Sequence, residues 1–222
     1  MKEYRFEEIA STQDYAKELY LRQEHDFVVF ADKQYLGRGR NGHSWQSPGG
    51  GLWFSFDIDF FNAGSLFTMA VGVAIKEVLE EFYDCNVKLK WPNDLFLDDK
   101  KVGGIICEKL ADKVIVGIGI NTNADKIDEN KATTFFCKTG KTVDNYMLMK
   151  RIIDRCKEVL KSELDGVVER FRESMMYRGE RCFVSVLKED VKVIDVADDG
   201  GLVVETNEGI KEVSAGEISV CI

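Results

Sequence analysis

Histidine and proline are scarce in this sequence. Only two of each occur among 222 residues, namely His25, His43, Pro48 and Pro92. The shortage of histidine disfavours nucleophilic catalysis of the kind that uses a histidine as general base. Average usage of ~5% would give about ten prolines. Pro92 lies between a tryptophan and an asparagine, and Pro48 precedes a run of three glycines.

An excess of positive charge is also lacking. The chain has 30 Lys and Arg against 39 Asp and Glu, which gives a formal net charge of −9. Proteins that bind nucleic-acid duplexes usually carry a basic face that displaces counterions, so we expect no nucleic-acid partner.

Long apolar runs are missing as well. No segment approaches the ~18 consecutive apolar residues of a membrane-spanning helix. Five of the seven residues at positions 2–8 are charged, where a signal peptide would have its apolar region. We therefore expect no membrane partner and a cytoplasmic location.

Closely spaced cysteine pairs do not occur. The nearest two of the six cysteines, Cys137 and Cys156, are 19 positions apart. This spacing disfavours a zinc knuckle and a redox dithiol, and it predicts buried free thiols in a reducing compartment. The other four are Cys85, Cys107, Cys182 and Cys221.

Hydrophobic patterning predicts an α+β domain over residues 1–177 and a small SH3-like β-barrel over residues 178–222. Ser11 and Thr12 are typical of a capped helix start, and amphipathic patterns predict a helix over 65–83 and two more between 142 and 177. Strand-like runs of the first domain cover 27–31, 52–59, 87–90, 102–110 and 114–120. Five short strands separated by turn residues follow at 183–187, 191–196, 202–205, 210–213 and 218–222.

The segment from Gly37 to Trp45 places two arginines among three glycines. Glycine lets backbone N–H groups approach a ligand, and arginine offers a charged fork to phosphate or carboxylate. The pattern predicts a mobile anion-binding loop; the alternative is a solvent-facing loop with incidental arginines. Its Gly-x-Gly-x-x-Gly spacing also matches a dinucleotide fingerprint, but that fingerprint must open a helix. A glycine tract and a strand follow here, which disfavours that interpretation.

The segment Lys90-Trp91-Pro92-Asn93-Asp94 combines an amide with a carboxylate. An asparagine side chain can match both the donor and the acceptor of an adenine edge. An aspartate supplies the oxygen ligands that Mg²⁺ prefers. The alternative is a tight β-turn, for which Pro-Asn-Asp is equally suited.

Two glycine-rich strand segments offer further candidates. Lys101 precedes Gly103 and Gly104, where an ammonium group can reach a phosphate in a cleft; alternatively it is a solvated lysine beside a hairpin. The run from Gly117 to Asn121 leaves room for a planar ring beside a strand; alternatively Asn121 only caps the strand end.

Taken together and in this order, these segments resemble those of the biotin protein ligases. The matching motifs are Ser11-Thr12-Gln13, Gln34 with Gly37-Arg38-Gly39-Arg40, Lys90-Trp91-Pro92-Asn93-Asp94, Lys101-x-x-Gly104-Ile105 and Gly117-x-Gly119-x-Asn121. The tail at 214–219 is similar to the end of the family's SH3-like domain. The resemblance covers essentially the whole chain.

The resemblance implies a mixed-sheet catalytic domain of the biotin/lipoate ligase type and a two-step ATP-dependent reaction. Biotin's carboxylate attacks the α-phosphorus of ATP to give biotinyl-5′-adenylate, and a lysine of a biotin carboxyl carrier protein domain then takes the biotinyl group. The first step brings two anions together, so the site must neutralise charge. By resemblance, that task falls to Arg40, Lys101 and a Mg²⁺ ion held by Asp94.

The resemblance also assigns binding residues. Those expected to contact biotin or its adenylate are Ser11, Thr12, Gln13, Gln34, Arg38, Gly39, Arg40, Trp45, Lys101 and Gly104. Asn93 and Asn121 are expected to hold the adenine.

Two departures from the family pattern stand out. Asn41 and His43 replace arginines that the family often carries, which predicts a weaker or pH-dependent hold on the adenylate. Ser11 lies close to the start, so we expect the monofunctional type without an N-terminal DNA-binding domain. The resemblance leaves a homodimer open.

Two alternatives are retained. A lipoate or octanoate ligase shares the fold and the adenylate chemistry, but the Gly-Arg-Gly-Arg loop and the SH3-like tail favour biotin. A non-catalytic sensor or scaffold is disfavoured by the presence of Arg40, Asp94 and Lys101.

Overall fold

The computed structural model describes residues 1–59, 64–124, 127, 132–161, 164, 166–214, 216 and 218–220. The elements of the larger part are β1 (Lys2–Ile9), α1 (Thr12–Leu21), β2 (Phe27–Gln34), β3 (Leu52–Asp59), α2 (Gly64–Phe82), β4 (Val87–Lys90), β5 (Asp94–Leu97), β6 (Lys100–Lys109), β7 (Lys113–Ile120), α3 (Phe135–Thr139), α4 (Asn145–Lys161) and α5 (Val167–Ser174). Those of the C-terminal part are β8 (Arg181–Val184), β9 (Glu189–Val196), β10 (Leu202–Thr206), β11 (Gly209–Val213) and β12 (Ile218–Val220).

The first sheet has seven strands in the order β1-β2-β3-β7-β6-β5-β4. Strand β1 runs parallel to β2 and the other neighbours are antiparallel, so the predicted mixed sheet is confirmed. Helices α2 and α4 pack together on one face, and α1 packs on the other against β2, β3 and β7. Both faces of β3 are therefore buried, including Phe54, Phe56 and Ile58.

The second sheet has five antiparallel strands in the order β11-β10-β9-β8-β12, which confirms the predicted C-terminal β-domain. Its apolar side chains join the same hydrophobic core as α2 and the first sheet. The indole of Trp91 donates to the carbonyl of Gly200 at 3.0 Å, and Arg172 on α5 bonds Asp195 on β9 at 3.0 Å. The boundary at residues 177 and 178 stays a prediction.

Three of these helices and strands lie where no element was predicted, namely β1, β5 and α3, and a short 3-10 turn at Arg40–Gly42 lies within the loop after β2. The prediction of buried cysteines is confirmed for Cys156 and Cys182 and wrong for Cys137, which is exposed, while Cys85 and Cys107 are half-buried. Residues 215, 217, 221 and 222, which include Cys221 and the end of the last predicted strand, lie outside the described residues. No helix in the described part of the chain is long and apolar enough to cross a membrane. The cytoplasmic location stays a prediction.

Candidate active site

A cavity of about 260 Å³ lies on the first sheet between the start of α1, the loop after β2 and the glycine-rich parts of β6 and β7. Twelve of the thirteen predicted site residues line it: Ser11, Thr12, Gln13, Gln34, Arg38, Gly39, Arg40, Trp45, Asn93, Asp94, Lys101 and Gly104. The second sheet contributes Ile218 to the same wall. Tertiary folding therefore gathers motifs that are widely separated in sequence.

Uncharged polar groups form one part of the wall. The carbonyl of the Gln34 side chain accepts from the backbone N–H of Thr12 at 2.8 Å, and its amide nitrogen donates to Ser47 at 2.8 Å. The hydroxyl of Thr12 lies 3.0 Å from that of Ser55 on β3. Ser11 caps α1, because its hydroxyl accepts from the backbone N–H of Asp14 at 3.3 Å. This part of the site is ordered by neutral hydrogen bonds.

The amide of Gln13 lies beside that wall. Its Nε2 donates to Oε2 of Glu108 at 2.8 Å and to the carbonyl of Ile115 at 3.1 Å. Its Oε1 is buried and has no hydrogen-bond partner among the described residues. That oxygen lies directly over Gly117, where an added Cβ would come within 2.4 Å of it. The absence of a side chain at Gly117 makes room for it.

The two arginines of the loop have different surroundings. Arg38 forms two hydrogen bonds to Asp14, at 3.1 and 2.5 Å, and also approaches Glu108 at 3.4 Å. Arg40 donates to Oδ1 of Asn93 at 3.1 Å. A guanidinium held by two carboxylates is largely neutralised, whereas one held by a neutral amide keeps its full charge. Arg40 is therefore the better candidate for binding an anion.

Asn93 uses both ends of its amide within the protein, since Nδ2 also donates to the carbonyl of Ile105 at 2.8 Å. Contact with both acceptor and donor of an adenine edge would require these bonds to be exchanged. Asn121 is buried and donates to the carbonyl of Thr133 at 3.2 Å. It is the predicted site residue that does not line the cavity. The adenine-binding role of both asparagines stays a prediction.

The ammonium of Lys101 forms an ion pair with Asp94 at 2.7 Å. No group of three or more His, Cys, Asp or Glu side chains that could hold a metal exists within the described residues. Mg²⁺ in nucleotide sites is commonly held by one or two carboxylates together with substrate phosphates. The side chain of Asp94 fits that role, which needs only one carboxylate from the protein.

Trp45 fills the space that the glycines leave beside the strands. An added Cβ at Gly119 would come within 2.7 Å of its Nε1, and one at Gly104 within 3.0 Å of its ring. The ammonium of Lys101 lies 5.1 Å from the ring centroid. The predicted room for a planar ring is present, and the chain's own indole occupies it. Within the described residues, Nε1 of Trp45 is buried without a partner.

Substituting Gly119→Ala is expected to push Trp45 out of this space, because overpacking against a ring costs about 1–3 kcal/mol. Trp53 and Trp91 are each 1% exposed, so acrylamide quenching of tryptophan fluorescence reports mainly on Trp45. We expect quenching to increase. The double variant Gly119→Ala with Trp45→Phe is the control: it lacks the responding indole, so quenching should fall to the low level of the two buried tryptophans. Unchanged quenching in Gly119→Ala would contradict this packing.

Sequence reasoning assigned no role to Asp14, Ser55 or Glu108, all of which contact predicted site residues. Asp14 lies in the first turn of α1, where an acidic residue is common for helix stability alone. Glu108 lies on β6, far from Gln13 and Arg38 in sequence, so no spacing could have connected them.

Residues 6–125 match the biotin/lipoate A/B protein ligase family, and residues 179–220 match the biotin protein ligase C-terminal domain. The bifunctional ligase/repressor BirA of Bacillus subtilis is 31% identical over 96% of this chain and 72% of its own length. Biotin–protein ligase 2 of Arabidopsis thaliana is 27% identical over 87% of this chain and 64% of its own.

Among solved structures, the biotin protein ligase from Aquifex aeolicus in complex with biotin and ATP is 36% identical to the chain. The two superpose with a TM-score of 0.87, covering 98% of this chain and 97% of the other. Likeness therefore extends over both sheets and over the elements that surround the cavity.

Proposed function

The chain belongs to the biotin/lipoate A/B protein ligase family, as a biotin protein ligase, and from this premise we propose that it activates biotin with ATP and transfers the biotinyl group to a lysine of a biotin carboxyl carrier protein domain. The observation that carries the proposal is the division of the cavity into a neutral polar part around Gln13 and Gln34 and a cationic part around Arg40 and Lys101. Biotin has the matching polarity, with an uncharged ureido ring at one end and a carboxylate at the other.

In the first step, a carboxylate oxygen of biotin forms a bond to the α-phosphorus of ATP while the bond to the pyrophosphate oxygen breaks. Repulsion between the two anions is the obstacle, so preorganised positive charge lowers the barrier. Arg40 supplies that charge at the cavity wall. Lys101 is paired with Asp94 at 2.7 Å and would add its charge once Asp94 turns to another cation. Mg²⁺, when bound, would add charge neutralisation on the phosphates, with Asp94 as its protein ligand.

In the second step, the ε-amine of the carrier lysine attacks the carbonyl carbon of the mixed anhydride. An amide bond forms, AMP leaves, and the amine loses a proton to solvent or buffer. The anhydride is prone to hydrolysis, so water must be kept out between the steps. The loop carrying Arg38, Arg40 and Trp45 lines the cavity and is suited to that role.

The carrier domain has an exposed strand edge to dock against. Strand β1 is one of the two edge strands of the first sheet, and strand pairing at such an edge is a common recognition mode. Docking there would supply the lysine from outside the cavity. A homodimer remains an expectation from the resemblance.

Pyrophosphate release tests the reaction directly. The protein is incubated with Mg·ATP and either biotin, lipoate or octanoate, and we expect release with biotin. Release with lipoate or octanoate alone would overturn the proposal in favour of the alternative ligase. Release with none of the three would support a non-catalytic sensor or scaffold.

Two further arms extend this assay. Chelation of Mg²⁺ with EDTA is expected to reduce pyrophosphate release to background, since the phosphates then lose their counter-charge. Addition of a carrier domain after adenylation is expected to raise the carrier's mass by one biotinyl group. A carrier mass that stays unchanged would restrict the proposal to biotin activation.

A further inference from the structure

The amide of Gln13 is held from behind by two groups that can only accept hydrogen bonds. These are the carboxylate of Glu108, at 2.8 Å, and the carbonyl of Ile115, at 3.1 Å. An amide has two donors on its nitrogen and only acceptors on its oxygen, so the nitrogen must face these two groups. Oε1 is thereby turned to the opposite side, over Gly117, and both Gln13 and Gly117 line the cavity.

Glu108 is kept in its ionised, acceptor-only form by its neighbours. Burial alone raises the pKa of this carboxyl. The hydrogen bonds from Gln13 and Lys17, together with the positive charges of Lys17 and Arg38, outweigh that effect, and the net pKa lies below the ordinary value. The contact with Lys17 is 3.1 Å long. A carboxyl that stays ionised at neutral pH cannot donate to Oε1 of Gln13.

Oε1 of Gln13 consequently needs a hydrogen-bond donor that its surroundings do not supply. Gln13 is 3% exposed, and within the described residues no donor reaches that oxygen. Leaving a buried acceptor without a donor costs about 1–3 kcal/mol. A ligand that brings a donor to this point removes that cost, and a ligand that brings an acceptor increases it.

We propose that Glu108 is a positioning residue that sets the ligand specificity of the site, by turning Gln13 into an obligatory acceptor for a ring N–H group. The inference rests on the proposed function, because biotin offers two ureido N–H groups as its only ring donors. Lipoate and octanoate have no N–H group and would leave Oε1 without a donor. Glu108 thus discriminates among the acids that this family activates without touching any of them.

The role of Glu108 can be separated from that of Arg38. Asp14 holds Arg38 through two hydrogen bonds, at 3.1 and 2.5 Å, whereas Glu108 approaches it only at 3.4 Å. Loss of the charge on Glu108 therefore leaves Arg38 anchored. The main effect of losing this charge is on the orientation of the Gln13 amide.

The test uses Glu108→Gln, which has nearly the same shape but can donate to Oε1 of Gln13 and so permits the amide to turn. Dissociation constants are measured by calorimetry for biotin and for the two carbamate analogues in which one ureido N–H is replaced by a ring oxygen. In the unmodified protein, the analogue that sets oxygen against Gln13 is expected to bind about 100-fold more weakly than biotin. In Glu108→Gln this ratio is expected to fall to about tenfold, because one of the two constraints on the amide is gone.

Two more variants complete the design. Lys17→Met removes a partly exposed cationic partner of Glu108, a loss worth about 1 kcal/mol or less, which is too small to protonate the carboxylate at neutral pH. The Gln13 contact stays in place, so the ratio should stay within about twofold of its original value. Gln13→Met keeps the side-chain length and removes the acceptor, so it should also reduce the ratio. If thermal unfolding shows that Glu108→Gln does not fold, Gln13→Met tests whether the acceptor at position 13 sets the ratio.

The outcomes separate this inference from the proposed function. If the unmodified protein binds biotin and Glu108→Gln weakens all three ligands equally, Glu108 is only a structural residue and the inference is overturned. If the unmodified protein does not bind biotin, the proposed function fails, and the inference fails with it. A reduced ratio in Glu108→Gln and Gln13→Met, but not in Lys17→Met, supports the proposal.

Discussion

Arg40→Ala is expected to slow biotin-dependent pyrophosphate release by about 10²–10³-fold, the usual cost of losing one preorganised donor aimed at developing charge. Arg40 lines the cavity and is held by the neutral Asn93, so its charge remains available to the reacting anions. Single-turnover measurement of pyrophosphate release, with both substrates saturating, isolates this step. Arg40→Lys should lose less, because it keeps the charge and forfeits only the planar fork.

The matched control for Arg40 is Arg22→Ala. Arg22 follows α1, its side chain is 61% exposed, and it pairs only weakly with Glu18 at 3.5 Å. The same chemical change there should leave the rate unaltered. If Arg40→Ala instead raises the KM for ATP or biotin and leaves kcat unchanged, Arg40 contributes ground-state binding and the charge-neutralising role is refuted.

Trp91→Ala is expected to lower the free energy of unfolding by about 3–5 kcal/mol, the typical cost of truncating a fully buried aromatic side chain. Trp91 is 1% exposed and belongs to the core that both sheets share. Its indole also donates to the carbonyl of Gly200, which connects the β4–β5 turn to the C-terminal sheet. Urea denaturation followed by circular dichroism measures the change.

Trp91→Phe separates packing from hydrogen bonding. It keeps most of the ring but removes the N–H donor, so its cost should be smaller than that of Trp91→Ala and should include about 1 kcal/mol for the lost hydrogen bond. Phe136→Ala is the surface control, since Phe136 is 48% exposed and should change stability by less than about 0.5 kcal/mol. Equal losses for Trp91→Ala and Phe136→Ala would show that Trp91 does not join the two sheets.

Elements with strong periodicity could be predicted from the sequence. The predicted helix over 65–83 corresponds to α2, Gly64–Phe82, because one continuous apolar face has to be buried. Strand β1 could not be predicted in this way. It is an edge strand whose side chains are largely exposed, and it pairs in parallel with β2 across the intervening helix α1. A strand that buries few side chains shows little hydrophobic patterning in its sequence.

The cavity, too, could be predicted only in part from the sequence. Glycine, arginine, lysine and asparagine at motif spacing were enough to identify the site residues, because each motif is local. Contacts between motifs are not local: Gln13 and Glu108 are 95 positions apart, and Arg40 and Asn93 are 53 apart. No window of sequence contains either pair.

The sequence by itself determined which functional groups this protein has and which family it belongs to. Only the tertiary structure decided how those groups are used: Arg38 is neutralised by Asp14, Trp45 fills the space over Gly104 and Gly119, and Gln13 is turned by Glu108. The physical reason is that a side chain's charge and hydrogen-bonding direction depend on its neighbours in space. Here those neighbours come from strands and loops that meet only when the sheet has formed.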